Sequence, residues 1–511
     1  MNASEANPGA GCGSGPRLII IGGGLAGLAA AAALAGRGVH VILLESRPRL
    51  GGRASSFTDP ASGSEIDNCQ HVSMGCCTNL ADFCRRVGIA ELFRRDSALY
   101  FLDPEGRLTR LGVSRLPAPL HLAPGLLRAA FLTLSEKLRL IVGLARLWLE
   151  EGVTEPRRYR DMERTAGGGP AVAQRRCVSF AEWLHGHGQT TRAIEWFWRP
   201  ILTSALNESL ERIDPAAARQ VFVEGFLRNR RGYVLQIPTV ALGELYGTRM
   251  EQWLADRGVE VRVGTGVRRI STADERVDGV ELRSGETLRG DWYLSAVPFD
   301  RLLELLPGGV TERYEYFRRL GELEVSPITG IHLWFDRPVM TLPHVVVLGR
   351  TIQWIFNRSQ DGGGPAGERG PASVGPPQYL QVVISASRDI AGLGKEEIVS
   401  RIVSEIRELF PQAATANVVH ARVVTERSAT FSVLPGSEAL RPPQASPLEN
   451  LLVAGDWTRT GWPPTMEGAV RSGYLAAELI LARLGRAERV VRPGLRAEGL
   501  AWWIERLLVR R

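Results

Sequence analysis

The chain of 511 residues almost lacks lysine: of its 62 basic residues only Lys137 and Lys395 are Lys, and the rest are Arg. Cysteine is scarce too, with six residues, and four of these (Cys69, Cys76, Cys77, Cys84) are spaced C-x6-C-C-x6-C. That is not the C-x2-C spacing of a structural zinc site, so no metal is expected and the thiols read as reduced. Met1 to Pro16 has neither a basic stretch nor an apolar core, so it is not read as a secretory signal; its Gly, Ser, Ala and Asn content reads as a disordered tail. One uncharged run, Leu18 to Gly36, approaches the length of a membrane span, but its 19 residues hold five Gly, and a strand, a turn and a helix explain it better. What is present is ordinary: 44% hydrophobic and 23% charged residues exclude global disorder and a small disulfide scaffold, and the length suggests about three domain-sized units. The net charge of +7 raises nucleic acid, an acidic membrane surface and anionic ligands as partners.

Arg17 to Gly22 is a short β-branched run, Leu28 to Ala35 is rich in Ala and Leu, and Val39 to Glu45 is a second apolar run, which together predict a βαβ unit. From Asn68 to Ala218 the pattern is mostly helical, and Leu134, Leu138, Ile141, Ala145 and Trp148 fall on one face of a long helix. Residues 153–176 read as an exposed loop. Residues 259–297 read as short strands, 326–385 as β-rich with a Gly/Pro-rich excursion at 361–377, and Lys395 to Phe410 as a helix. A late strand, Leu451 to Asp456, precedes a helix from Met466 to Leu484. The expected fold class is α/β: a Rossmann-like nucleotide-binding domain (17–75, 225–300 and 435–485) interleaved with an α+β substrate domain (76–224 and 301–434), with a tail at 1–16 and a basic amphipathic tail at 486–511.

Between the first strand and helix lies Gly22-x-Gly24-x-x-Gly27. Gly22 permits the tight turn, Gly24 lets backbone approach a pyrophosphate, and Gly27 lets helix and strand pack closely, while the helix N-terminus offers free N–H groups to the anion. Glu45, 23 residues after Gly22, stands where a ribose-binding acid belongs and disfavours a 2′-phosphate.

Past Glu45, the turn Gly51-Gly52-Arg53 resembles that of the amine oxidase and carotenoid desaturase flavoenzymes. Gly455-Asp456-Trp457, followed by Met466-Glu467-Gly468-Ala469, resembles the same superfamily's C-terminal segment. The resemblance implies FAD as cofactor: Gly52 and Arg53 near the diphosphate, Gly455 and Asp456 near the ribityl-diphosphate, Met466 and Glu467 at a helix start aimed at the isoalloxazine, and Val267 at the adenine. Amine chemistry is disfavoured. The lysine that such oxidases generally keep has no counterpart in 297–340, and Thr465 stands where they usually place a Tyr.

The stretch Asp67-Asn68-Cys69-Gln70-His71 resembles the Asp-Asn-Gly-Gln-His segment of the hydroxysqualene dehydroxylases, and Arg427 to Phe431 and Gly461 to Glu467 look similar too. Cys69 departs from the Gly of that pattern, which puts the aim of its neighbours in question. The resemblance implies reductive loss of an allylic hydroxyl, giving squalene. Hydride passes from reduced flavin to carbon, the hydroxyl leaves as water, and an allylic cation is kept from solvent. His71 is the candidate proton donor and Gln70 the candidate for orienting the hydroxyl, with Asp67 orienting His71 or capping a turn; alternatively His71 packs against the flavin and bonds backbone. Glu195 to Pro200 and the helix from Leu126 to Trp148 either line a tunnel for a long isoprenoid or form ordinary core. The alternatives are a polyene desaturase of the phytoene type, running the flavin in the other direction, and a non-catalytic prenyl-lipid carrier with structural FAD.

The distribution of charge narrows the partners. Residues 486–511 hold seven Arg and three Glu, a net +4. Leu500, Trp503, Ile504, Leu507 and Leu508 form a stripe there. This reads as an interfacial helix on an anionic membrane, or as a terminal helix docked on its own domain. The expectation is a cytoplasmic protein peripheral to the inner membrane face, with no nucleic-acid partner. The sequence leaves its oligomeric state open.

Overall fold

The structure is a computed structural model, and it describes residues 15–150, 178–360 and 377–508. The expected loop at 153–176, nearly all of the excursion at 361–377 and the tail before residue 15 lie outside the described residues.

The N-terminal unit forms as the sequence predicts. Strand β1 (Arg17–Ile21), helix α1 (Leu25–Leu34) and strand β2 (His40–Leu44) are followed much later by β3 (Glu260–Arg262), β4 (Trp292–Ser295), β5 (Leu451–Val453) and helix α2 (Met466–Arg483). All five strands are parallel, in the order β3-β2-β1-β4-β5. The order reverses at β1, which places a crevice at its carboxyl end, where the glycine turn lies. Every residue of α1 is buried, because α2 covers one side and the sheet the other, and this explains why its sequence is apolar all round. The helix Thr78–Arg86, assigned above to the substrate region, contributes Leu80, Phe83 and Cys84 to the same apolar cluster as α1, so the nucleotide unit extends past residue 75.

A second, seven-stranded sheet forms the floor of the other domain. Its order is Val418–Phe431, Val325–Phe335, Gln378–Ser385, Trp354–Asn357, His344–Val347, Ala98–Leu102 and Leu108–Gly112. The last two strands correct the helical reading of 68–218. Ala98–Leu102 is a short apolar run that gains a partner on each side, parallel to His344–Val347 and antiparallel to Leu108–Gly112. Long-range pairing decides such a run, and local propensity does not.

The helix Leu134–Leu149 exists, closed at its start by a capping box between Thr133 and Glu136. Its inward face is Leu140, Gly143, Leu147 and Trp148; Leu134, Leu138 and Ile141 point outward and are exposed. Among the described residues no helix is long and apolar enough to cross a membrane.

Candidate functional site

A cavity of about 880 Å³ runs from the carboxyl end of β1 to the seven-stranded sheet, near the top of the range of roughly 300–1,000 Å³ usual for ligand sites. Its walls include all of the residues expected to hold the cofactor except Gly27, and both residues expected to do chemistry.

At the nucleotide end, the turn is built by backbone bonds. Gly22 N–H donates to Leu44 O at 2.8 Å and Gly51 N–H to Gly23 O at 2.8 Å, so the glycine turn and the Gly-Gly-Arg turn lie side by side. A Cβ on Gly24 would meet nothing closer than Gly52 Cα at 3.9 Å, so this position opens into the cavity. A Cβ on Gly27 would overlap the carbonyl oxygen of Gly22. The two glycines thus serve different ends: Gly27 packing, Gly24 access. The Glu45 carboxylate accepts from Gly23 N–H (2.8 Å) and Arg47 N–H (2.8 Å), which shapes the turn from inside and leaves lone pairs toward the cavity. Thr265 N–H donates to the main-chain Glu45 O at 2.8 Å, and Val267, two residues on, lines the same cavity as Glu45.

Further along, Arg53 pairs with Asp456 at 2.7 Å and donates to Ala429 O at 2.6 Å, which ties the first βαβ unit to the C-terminal segment. Gly455 N–H donates to Ser472 Oγ at 2.8 Å. Arg441, which sequence reasoning did not single out, is 3% exposed, and its Nη2 lies 2.6–3.1 Å from the carbonyl oxygens of Asp456, Thr458 and Trp462. It fixes the loop that leads into α2; a lone Arg in a polar stretch gives no sequence signal for that.

Met466 and Glu467 open α2 at the cavity wall, and Thr465 caps the helix by accepting from Gly468 N–H at 3.2 Å. The Glu467 side chain departs from expectation. It turns away to the start of the helix Thr78–Arg86 and accepts from Asn79 N–H (3.1 Å), Asn79 Nδ2 (2.8 Å) and Leu80 N–H (2.7 Å). Burial pushes its pKa up against these bonds. A helix N-terminus needs an acceptor, and Glu467 is the one within reach.

The two candidate catalytic residues lie between the flavin segments and the second sheet. His71 Nδ1 is 2.8 Å from Cys69 O; since a carbonyl only accepts, Nδ1 carries the proton and Nε2 is the acceptor of the neutral ring. Burial lowers the His71 pKa, so the neutral form prevails near pH 7. To act as a donor His71 must first take a proton, and at rest it accepts; its bond to Cys69 O is the backbone contact of the alternative expectation. Gln70 Nε2 donates to His71 O at 3.3 Å, while its Oε1 is buried without a partner. Asp67 orients neither. It accepts from Ser56 Oγ (2.7 Å) and from Leu242 N–H (2.8 Å) at the start of a distant helical run, and lies 3.4 Å from Arg358. Cys69 lies over Gly330 on the strand beneath, where a Cβ would be in ordinary contact with Cys69 Sγ at 3.5 Å. Burial raises the Cys69 thiol to about 12, which makes it inert. No cluster of metal-ligating side chains occurs among the described residues.

Beyond His71 the walls are largely apolar, with Phe101, Ile201, Phe226, Val346, Trp354 and Phe356, interrupted by Gln220 and Glu224. Of the expected tunnel residues Pro200 lines the cavity, and the others lie elsewhere. Trp198 is fully buried and packs edge-on against Phe180, Phe197 and Phe222, so Trp196 to Trp198 belong to the core and its margin. The helix Leu134–Leu149 does not reach the cavity either. An aromatic run signals burial, and only the fold decides whether it faces a ligand.

Fold and site together define a dinucleotide-binding protein whose crevice continues into a long apolar pocket. The chain matches the flavin containing amine oxidoreductase family over residues 25–481, and it belongs to that family. It is similar to the zeta-carotene desaturase of Synechocystis sp. (26% identical, over 93% of this chain and 99% of that protein) and to the 15-cis-phytoene desaturase of Synechococcus elongatus (26%, over 93% and 97%). Among solved structures its fold resembles an oxidoreductase from Methanosarcina mazei (TM-score 0.63, 15% identity, 89% of this chain and 98% of that one). It also resembles putrescine oxidase bound to putrescine (TM-score 0.63, 16%, 92% and 99%). The protein is therefore a flavin-dependent oxidoreductase of this family, with FAD as its cofactor. The open position over Gly24, beside Gly52 and the Arg53–Asp456 pair, fits a dinucleotide diphosphate.

Proposed function

We propose that the protein reductively removes the allylic hydroxyl of hydroxysqualene to give squalene. One observation carries this reading: Gln70 Oε1 is buried, has no partner, and lines a cavity whose far end is apolar. A buried carbonyl oxygen without a donor costs about 1–3 kcal/mol, and a substrate hydroxyl relieves that cost whereas a pure hydrocarbon does not. The glycine turns, Val267, Glu45, Arg53, Asp456, Met466 and the backbone of Glu467 would hold FAD, which supplies hydride chemistry when bound. Gln70 orients the hydroxyl. His71 carries a proton taken from solvent to the departing oxygen, which leaves as water. The aromatic wall excludes bulk water from the cation left on carbon.

Polyene desaturation is the second reading, supported by the similarity to the carotene and phytoene desaturases. In the test, hydroxysqualene is given anaerobically to enzyme carrying reduced flavin. Squalene with stoichiometric flavin oxidation is expected. No turnover there, together with dehydrogenation of phytoene-like polyenes by the oxidised enzyme, would replace the proposal with the second reading. A bound flavin that cannot be reduced would leave only a prenyl-lipid carrier.

A further inference from the structure

Among the described residues, fourteen large hydrophobic side chains are exposed, and twelve of them fall within residues 116–149 and 500–507. Chance scatter over the surface does not concentrate them so. The helix Leu134–Leu149 supplies Leu134, Leu138, Ile141, Val142 and Leu149, between 45% and 67% exposed, while its opposite face is buried. It is apolar on both sides, unlike a helix that meets core on one side and water on the other. The helix Leu500–Leu508 adds Leu500, Trp502, Trp503 and Leu507. It docks through buried Ala501, whose N–H donates to Ala118 O at 3.0 Å, beside exposed Leu116 and Leu120.

Both helices rest on the same support, the helical run 215–227: Arg219 donates to Trp148 O at 3.1 Å, and Arg228 pairs with Glu505 at 2.9 Å. Gln220, Val221, Glu224 and Gly225 of that run line the cavity, so the apolar patch lies one helix layer from the substrate end.

The charges around the patch are mostly positive; the exposed acid at its edge, Glu150, accepts from Trp183 Nε1 at 2.7 Å. Arg115, Arg128, Arg139 and Arg146 are exposed, and Arg506 lies over the Trp502 ring at 4.9 Å from its centroid. The acids nearby are engaged: Glu136 in its capping box, Glu498 with Arg230 and Glu505 with Arg228. A second copy meeting this face across a two-fold axis would set arginines against arginines. An anionic lipid surface satisfies both features, taking the leucines and tryptophans at the acyl boundary and the arginines among the headgroups.

We propose that residues 116–149 and 500–507 form one bipartite face that docks on an anionic lipid surface. The terminal helix supplies one part and the helix Leu134–Leu149 the other. The test uses the full-length FAD-loaded protein, needs no substrate, and so stands or fails apart from the proposed reaction. Wild type, Leu138→Glu/Ile141→Glu and Val419→Glu are sedimented with phosphatidylglycerol vesicles and with phosphatidylcholine vesicles, while retained flavin absorbance and thermal midpoint report folding. Wild type and the Val419 control, whose side chain is exposed away from the patch, are expected to pellet with phosphatidylglycerol, less with phosphatidylcholine, and less in high salt. The double variant is expected to lose about 100-fold in partitioning, roughly tenfold for each side chain withdrawn from lipid, with flavin and midpoint unchanged. Wild type that stays in the supernatant overturns the proposal, as does a double variant that pellets like wild type. A lipid-free wild-type dimer that the double variant dissociates assigns the face to self-association and overturns it equally. So does pelleting that appears only after residues 153–176 are removed.

Discussion

Gly24 and Gly27 sit three residues apart in one motif, yet the structure assigns them opposite sensitivities. A Cβ at Gly24 meets no atom closer than 3.9 Å, so the flavin-free fold of Gly24→Ala should be as stable as wild type, within about 0.5 kcal/mol. That methyl would occupy the space over which a diphosphate approaches the start of α1. Displacing the anion from even one backbone N–H forfeits a charge-assisted bond of about 1.5–3 kcal/mol, so FAD affinity should weaken by roughly ten- to a hundredfold. Gly27→Ala behaves in reverse. Its Cβ overlaps Gly22 O, helix and strand must separate, and the flavin-free protein should lose about 1–3 kcal/mol or more. Urea unfolding of flavin-stripped protein measures the first quantity, and FAD fluorescence titration the second. With FAD present, Gly24→Ala should look destabilised only through linkage, by about 1.4 kcal/mol for each tenfold loss of affinity. The reasoning is refuted if flavin-free Gly24→Ala unfolds more than about 1 kcal/mol early, or if it binds FAD like wild type.

Four further outcomes follow from the same geometry. Arg53→Ala leaves Asp456, 4% exposed, without its charge partner. Because Arg53 is itself a third exposed, the cost by chemical denaturation should be about 1–3 kcal/mol rather than the larger loss of a fully buried pair, and Arg53→Lys should not restore flavin affinity. Gln70→Leu should retain flavin but lower kcat/KM on a hydroxylated substrate by about ten- to a hundredfold, and equal turnover by variant and wild type would count against the role given to its Oε1. His332 is fully buried, and burial depresses its pKa to about 3. A depressed folded pKa contributes stability that is present above the ordinary value of 6.5 and is lost as pH falls toward 3, so the stability of His332→Gln should decline less over that interval; parallel pH profiles would show that the group does not titrate with folding. Cys69 and Cys84, raised by burial to about 12, should escape iodoacetamide in the native protein at neutral pH and react on unfolding, as peptide mapping would show.

Much of the nucleotide unit was legible because its signals are local and rigidly spaced. A β-branched run, a glycine turn and an acid at the end of the next strand form one continuous element, and the distant Gly455-Asp456 segment could be joined to it only through resemblance to known flavoenzymes. The geometry then added partners that no spacing encodes: Arg53 with Asp456, Arg441 with the loop before α2, and Glu467 with the start of the helix Thr78–Arg86. These bonds span from 17 to 403 residues, and each depends on which surfaces the folded chain brings together.

By itself, then, the sequence determined the α/β class and the dinucleotide cradle, because backbone conformation and close approach restrict residue type wherever they occur; resemblance to known flavoenzymes supplied the cofactor and singled out Gln70 and His71. The tertiary structure decided direction. The stripe Leu134, Leu138, Ile141, Ala145 and Trp148 has the spacing of a core face, but only Trp148 of it is buried, and Leu140, Gly143 and Leu147 took the rest of the core side. The aromatic run at Trp196 to Trp198 went to the core and its margin, while Phe101, Trp354 and Phe356, unremarkable in sequence, became the wall of the pocket. His71 was legible as a titratable group, but its proton sits on Nδ1 because Cys69 O accepts it there. Periodicity identifies an apolar face, and only packing chooses what that face meets.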